Sequence, residues 1–379
     1  MKQVFEAAQH PMSADLRPPA ADPTACAAPQ VDHVEQVEQA AQRLAAGALV
    51  AFPTETVYGL GARADDDAAV AAIFAAKGRP ADHPLIVHLA RASMAAEFAQ
   101  SPNEDARKLM AAFWPGPLTL IVQRKPGCGQ AAAGGQDSIG LRVPSHPLAL
   151  ALLARAAELG VPGVAGPSAN RFGRVSPTTA AHVRQELGAR LLVLDGGPCQ
   201  VGIESTIIDC TRDQPALLRP GQLSIQQLQS VLGKALVAAG ADAPRAPGTL
   251  ASHYAPGARL HLLATEALRL RLKEAAQSAE PEIIGVYSRT AFAEETLALR
   301  QGLVAKRTEH AALPVTHPTA PRWPFVFKRM PADADEAAHV LFAALRDFDL
   351  AGSTQIWVEA PPPDVRWDGV RDRLQRAAA

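Results

Sequence analysis

Cysteine is scarce in this 379-residue chain. Cys26, Cys128, Cys199 and Cys210 are the four, and no two stand at the two-residue interval of a zinc knuckle or redox pair. So sparse a set does not suggest a disulfide scaffold, and reduced thiols are the simpler reading. Neither sign of charge is in excess: 37 Lys and Arg stand against 38 Asp and Glu, a net charge of −1. Bulk electrostatics therefore gives no argument for nucleic acid or an anionic membrane, although a local patch stays open. No apolar run reaches the length of about eighteen residues that a membrane-spanning helix needs. The chain also has no G-x-x-x-x-G-K-[ST] phosphate loop, no H-E-x-x-H and no G-x-S-x-G elbow.

What is present is an ordinary globular composition, 48% hydrophobic and 20% charged, over a length that suggests two domains. Residues 1–30, rich in Ala, Pro and Asp, read as a tail without the apolar segment of a secretory signal. Glu6, Asp15 and Asp22 fit a mitochondrial presequence poorly, so a cytoplasmic protein is expected.

Periodicity then alternates helix and strand without a strict βαβ rhythm. VEQVEQAAQRLAAG reads as a helix closed by Gly47, ALVAFP as a buried strand, and Asp67 as the cap of the helix AAVAAIFAAK. PLIVHLA, PLTLIVQR, SIGLRVP, LLVLDGG, STIIDCT and ALLRPG follow as strands, with NEDARKLMAAFW, PLALALLARAAELG and TTAAHVRQEL as helices. The expectation is an α/β fold with antiparallel sections, its first domain ending near residue 235. A Gly-, Pro- and Ala-rich linker comes next, then RLHLLA, EIIGVYS, TQIWVEA and the helix ADEAAHVLFAALRDF as a smaller α/β layer. The linker carries His253 and Tyr254, so ligand contact and plain tether are both open. THPTAPRWPFVFKRMP reads as a loop packed on the second domain rather than a partner-binding strip.

AFPTETVYGLGA, residues 51–62, holds a decoy. Gly59, Gly61 and Ala64 spell a dinucleotide-binding turn, but six residues separate the strand from Gly59 and no acid follows at the required distance. The glycines read instead as letting the backbone bend around a pocket, with Thr54 and Thr56 presenting hydroxyls. Lys77, Arg79, Arg142, Arg174 and Arg219 stand at element ends, beside Ser138, Ser168, Asn170 and Ser176 in the same kinds of segment. Each cation alone is explained by a helix dipole or a turn; together they make an anion site equally reasonable. His83 and His88 lie five apart on or beside a strand, on opposite faces, which argues against a joint metal site.

In order along the chain come PTETVYGLGA, KGRP with HPLIVH, WPGPLT, GLRVPSHP, GPSAN with GRVSPT, ESTIID and LRPG. The set resembles the YrdC-like domain of L-threonylcarbamoyladenylate synthases. The linker PGTLASHYAP with an α/β domain after it is similar to the long two-domain form, and the resemblance spans residues 33–375. It implies a twisted open mixed sheet over residues 31–235, a linker over the active site at 236–258, and a Rossmann-like domain at 259–379. It implies an enzyme that makes threonylcarbamoyl-AMP and diphosphate from L-threonine, bicarbonate and ATP with Mg²⁺. Its product would pass to tRNA threonylcarbamoyl transferase proteins for modification of tRNA, with direct tRNA contact left open.

By the same resemblance Lys77, Arg79, Ser168 and Asn170 line the ATP site, joined by His83, Ser138, Ser176, Arg219 and Tyr254, with Lys77 and Arg79 as catalytic groups. Arg142 takes the threonine carboxylate, and Thr56, His88 and Ser205 complete that pocket. Metal ligands are not identified. His83 stands where the family often has Asn, and Thr249 where the linker usually has Met. Hydrogenase-maturation carbamoyl transfer, the rival with a related domain, lacks support because paired Cys-x-x-Cys motifs are missing. A double-stranded RNA-binding module is disfavoured by the near-neutral charge.

Overall fold

The computed structural model describes residues 31–240, 242–277, 282–290, 292 and 325–379. Two sheets organise it. The strands of the larger are β1 (Val50–Phe52), β2 (Gly59–Arg63), β3 (Ile86–His88), β4 (Leu118–Gln123) and β5 (Ser138–Arg142), followed by β6 (Val164–Ala165), β7 (Leu192–Val193), β8 (Thr206–Asp209), β9 (Ala216–Arg219) and β10 (Val237–Ala238). These ten stand in the order β10-β9-β8-β4-β5-β3-β6-β2-β1-β7 and mix parallel and antiparallel pairs. The smaller sheet comprises β11 (Arg259–Leu263), β12 (Ile284–Ser288), β13 (Phe325–Arg329) and β14 (Gln355–Glu359). It is parallel, in the order β11-β14-β12-β13. The fold is thus α/β with an open mixed sheet and a second, smaller one.

Helices α1 (Val31–Ala45), α2 (Asp67–Lys77), α3 (Glu104–Phe113), α4 (Pro147–Glu158), α5 (Ala180–Leu187) and α6 (Ile225–Leu232) accompany the first sheet. The second has α7 (Thr265–Gln277), α8 (Ala334–Leu350) and α9 (Asp368–Ala377). Helix α2 shows how the sequence sets a boundary. Its cap is Asp66, one residue earlier than expected, whose carboxylate accepts from the amides of Ala68 and Ala69. Gly78, at φ 62°, ends the helix in the left-handed conformation and turns the chain so that Arg79 leaves it inward.

Three expectations are corrected. Gly59 and Gly61 do not form a bend; they lie in β2, antiparallel to β1, and a Cβ at Gly61 would sit 2.9 Å from Phe52 and Val164. The glycines admit neighbouring side chains rather than turn the backbone. The first sheet continues past residue 235 through β10, which pairs with β9. Finally, Phe325–Arg329 is an edge strand parallel to β12 and not a loop, while residues 316–324 of that Pro-rich stretch lie outside the described residues.

The two sheets share a core. Val57, Val175, Val201 and Ile203 of the first unit cluster with Tyr254 of the linker and with Leu341, Phe342, Leu345 and Val370 of the second. Continuous burial of this kind makes the second unit a wall of the first. At Gly202, φ 83°, an added Cβ would lie 2.3 Å from the carbonyl oxygen of His339 on α8. Gly202→Ala is therefore expected to cost about 1–3 kcal/mol of stability through overpacking and backbone strain. Urea denaturation measures the loss; an unchanged midpoint would contradict this docking.

Candidate active site

Where the strand β1 ends, the chain turns through Thr54, Glu55 and Thr56, all buried. Thr54 Oγ1 donates to the carbonyl of Val57 at 2.6 Å and lies 2.8 Å from Thr56 Oγ1, so one hydroxyl fixes the turn and the other is presented. On β5, Arg142 donates from Nη1 to Thr56 Oγ1 at 2.9 Å and from Nε to the Gly116 carbonyl at 3.2 Å. Its Nη2 is 2.6 Å from Glu55 Oε1, close but not aligned as a hydrogen bond. The other Glu55 oxygen accepts from the Ser145 amide. Adjacent in register to Arg142, His88 on β3 packs edge-on against Phe52. Burial, then the Arg142 charge, lowers its pKa to about 3, so the ring is neutral, and its Nδ1 finds no partner among the described residues.

The facing wall is cationic and anchored to main-chain oxygens. Arg219, at the end of β9, donates to the Ser205 carbonyl at 2.8 Å and to the Pro247 carbonyl at 2.9 Å. Arg79 donates to the Pro84 carbonyl at 2.9 Å and lies over the Phe172 ring. Lys77 donates to the carbonyls of Ser168 and Asn170. Burial pulls all three below their ordinary pKa values, Arg79 to about 10. A buried cation is costly unless its protons are taken up, and here carbonyl dipoles do much of that.

Glu204 completes this wall. Burial would raise its pKa, but Arg373 and Arg219 outweigh that effect and hold it below the ordinary value. Ser176 Oγ donates to one oxygen and Arg373 Nε to the other at 2.8 Å. Arg373 comes from α9 in the second unit, is fully buried, and stands over the Tyr254 ring at 5.2 Å. Tyr254 has φ 63°, uncommon for a residue with a side chain, and is stacked on Phe342 from α8.

Thr56, Arg79, His88, Arg142, Ser168, Ser205, Arg219 and Tyr254 line one cavity of about 40 Å³, together with Glu204, Pro247, Gly248 and His253. Lys77, Asn170 and Ser176 are buried but do not line it; Asn170 donates to the carbonyls of Arg171 and Arg174 and so shapes the loop. His83 is outside the lining, its ring edge-on to Phe172, because it sits in the turn before β3. Ser138 shares the Arg142 face of β5 but lies four residues along it, roughly 13 Å away at the strand rise. Arg174 is half-exposed and reaches Asp349 and the Pro256 carbonyl instead. Sequence reasoning misses Glu55 and Glu204, although both stand inside quoted motifs, and Arg373, which carries no local signal.

Residues 42–221 match the family model described as Telomere recombination, and residues 223–379 match Threonylcarbamoyl-AMP synthase, C-terminal domain. The threonylcarbamoyl-AMP synthase of Bacillus subtilis is 46% identical over 59% of this chain and 66% of its own length. That of Pyrococcus abyssi is 43% identical over 60% and 68%, and that of Schizosaccharomyces pombe 35% identical over 87% and 85%. The crystal structure of P. abyssi Sua5 complexed with L-threonine superposes with a TM-score of 0.74 at 33% identity, covering 91% of this chain and 94% of that one.

His88 and His253 are both buried as neutral rings with pKa values lowered to about 3. Below the ordinary value near 6.5 the unfolded chain binds protons at these rings that the native state does not. Their contribution is complete above that pH and is lost as the pH falls towards 3. Each loses at most about 1.4 kcal/mol per pH unit. Urea denaturation at about pH 7.5, 6 and 5 reads this slope. His253→Gln should make it shallower; an identical slope would contradict the neutral burial of His253.

Proposed function

We propose that this chain, which belongs to the threonylcarbamoyl-AMP synthase family, joins L-threonine, bicarbonate and ATP into threonylcarbamoyl-AMP and diphosphate in the cavity of Arg79, Arg142 and Arg219. As a member of that family it is an enzyme that transfers a nucleotidyl group. The observation that carries the reading is the convergence of three buried guanidinium groups from separate segments, each tethered to a carbonyl, on one cavity.

In this reading Arg142 and the Thr56 hydroxyl receive the threonine carboxylate, with His88 and Ser205 beside it. Arg is suited to the task because its fork matches a carboxylate in two bonds. Arg79 and Arg219 face the phosphates, and Lys77 holds the Ser168 and Asn170 carbonyls so that this loop keeps its shape under the nucleotide. The threonine amine, in its neutral form, condenses with bicarbonate with loss of water, and the resulting N-carboxylate attacks the α-phosphorus while diphosphate leaves. Charge accumulates on the phosphate oxygens, where fixed cations stabilise it without reorganisation. Positioning, rather than a dedicated base for the adenylation step, then accounts for the rate.

A cavity of about 40 Å³ holds little more than a water molecule. Sites for drug-sized ligands span roughly 300–1,000 Å³. Pro247, Gly248, His253 and Tyr254 line this cavity, so in this reading residues 244–258 move outward when ATP enters. Magnesium would arrive on the phosphates: among the described residues no group of three His, Cys, Asp or Glu could cage an ion, and Mg²⁺ commonly rests on substrate phosphates. The product would serve transferases that modify tRNA. No described helix is long and apolar enough to cross a membrane, and a cytoplasmic location fits the proposed substrates.

Incubation with ATP, bicarbonate and threonine should release diphosphate only when threonine is present; equal release without it would sink the assignment. Arg142→Ala should raise the threonine KM at least about tenfold, the loss of a charge-assisted hydrogen bond, with the ATP KM little changed. Lys77→Ala should show the reverse bias in initial-rate kinetics. Equal effects on both substrates would remove this division of labour.

A further inference from the structure

We infer that Glu204 receives the α-ammonium group of the amino-acid substrate, and that Arg373 of α9 is the positioning residue that aims it. The inference rests on the function proposed for this cavity and deepens it. An amino acid enters as a zwitterion, so a site that binds its carboxylate through Arg142 also needs an acceptor for three N–H bonds nearby. Among the described residues Glu204 is the carboxylate in the cavity lining. Glu55 stands behind Arg142 and is engaged by that guanidinium and by the Ser145 amide.

The backbone brings the two poles together. Val201 and Gly202 donate their amides to the carbonyls of Glu55 and Thr56, at 2.7 and 3.1 Å, so the segment leading to Glu204 runs along the turn that Arg142 contacts. Ser205, next in the chain, lines the same cavity and bonds Thr119 at 2.7 Å. A carboxylate offers about four acceptor sites. Ser176 and Arg373 Nε each take one, which leaves capacity for an ammonium group.

Arg373 determines whether that capacity is usable. Besides Glu204 Oε2 it donates to the Glu204 carbonyl at 3.2 Å and the Pro220 carbonyl at 3.0 Å, clamping side chain and backbone of one residue. A planar fork does this; a lysine, with one nitrogen, does not. The pairing also keeps a deeply buried carboxylate ionised, as its lowered pKa indicates. An ionised acceptor is what an ammonium requires, since a protonated carboxyl would present a competing donor.

The test is a chemical double-mutant cycle on the full chain, read by calorimetric binding. L-threonine is compared with 2,3-dihydroxybutanoate of matching stereochemistry, in which a hydroxyl replaces the ammonium. The wild type should prefer threonine by at least about tenfold, as for a charge-assisted hydrogen bond, and Glu204→Gln should reduce the preference to about threefold or less. Arg373→Lys, which keeps the charge balance but loses the fork, should fall between. Because Glu204→Gln leaves Arg373 unpaired, the neutral pair Glu204→Gln with Arg373→Met is measured as well and should show the same reduced preference. Full preference retained in the Glu204→Gln chain, or in the neutral pair where the single variant does not fold, would overturn the inference. So would a wild type indifferent to the ammonium. A wild type that binds no threonine at all would instead overturn the proposed function.

Discussion

Burial of several like charges around one cavity is the constraint that shapes everything else in this structure. Lys77, Arg79, Arg142 and Arg219 are all nearly inaccessible, and each would be expelled or neutralised in an apolar interior. What holds them is a common device: every one donates to main-chain carbonyls supplied by loops at strand ends. The loops must therefore keep their shape, which explains the density of Pro, Gly and short hydroxyl side chains in the segments that carry them. In the proposed function, phosphate oxygens satisfy the remaining N–H groups of these cations better than neutral dipoles do.

Two buried carboxylates balance the remainder, and each is paired with a different arginine. Glu55 attends Arg142, while Glu204 is held by Arg373 and feels the charge of Arg219. The second of these depends on a helix of the other sheet. The smaller unit is thus more than an appended layer: α8 packs on Gly202, α9 delivers Arg373, and the His253 amide donates to the Arg376 carbonyl. The linker is seated by the same helix that holds the cavity carboxylate.

Much of this is legible in the amino-acid sequence. Thr56, His88 and Arg142 stand in motifs whose flanking strands are plain from their apolar pattern, and the register of β3 on β5 brings His88 and Arg142 side by side. Local rules fail where tertiary contact decides. GLGAR carries no alternating pattern, so β2 reads as a bend; its glycines answer to Phe52 and Val164 across the sheet. Ser138, which resemblance groups with the nucleotide contacts, begins the strand that Arg142 ends. Arg373 is 169 residues from Glu204, and nothing in the amphipathic pattern of α9 distinguishes a buried arginine from a solvated one.

In the proposed mechanism one cavity holds the amino-acid carboxylate at Arg142 and the nucleotide phosphate at Arg79 and Arg219. A crystal structure with a hydrolysis-resistant analogue of threonylcarbamoyl-AMP puts this to the sharpest trial. The analogue's carboxylate should lie within hydrogen-bond distance of Arg142 and Thr56, its phosphoryl group between Arg79 and Arg219, and residues 244–258 should be displaced outward. An analogue bound elsewhere, with residues 244–258 unmoved, would contradict the mechanism.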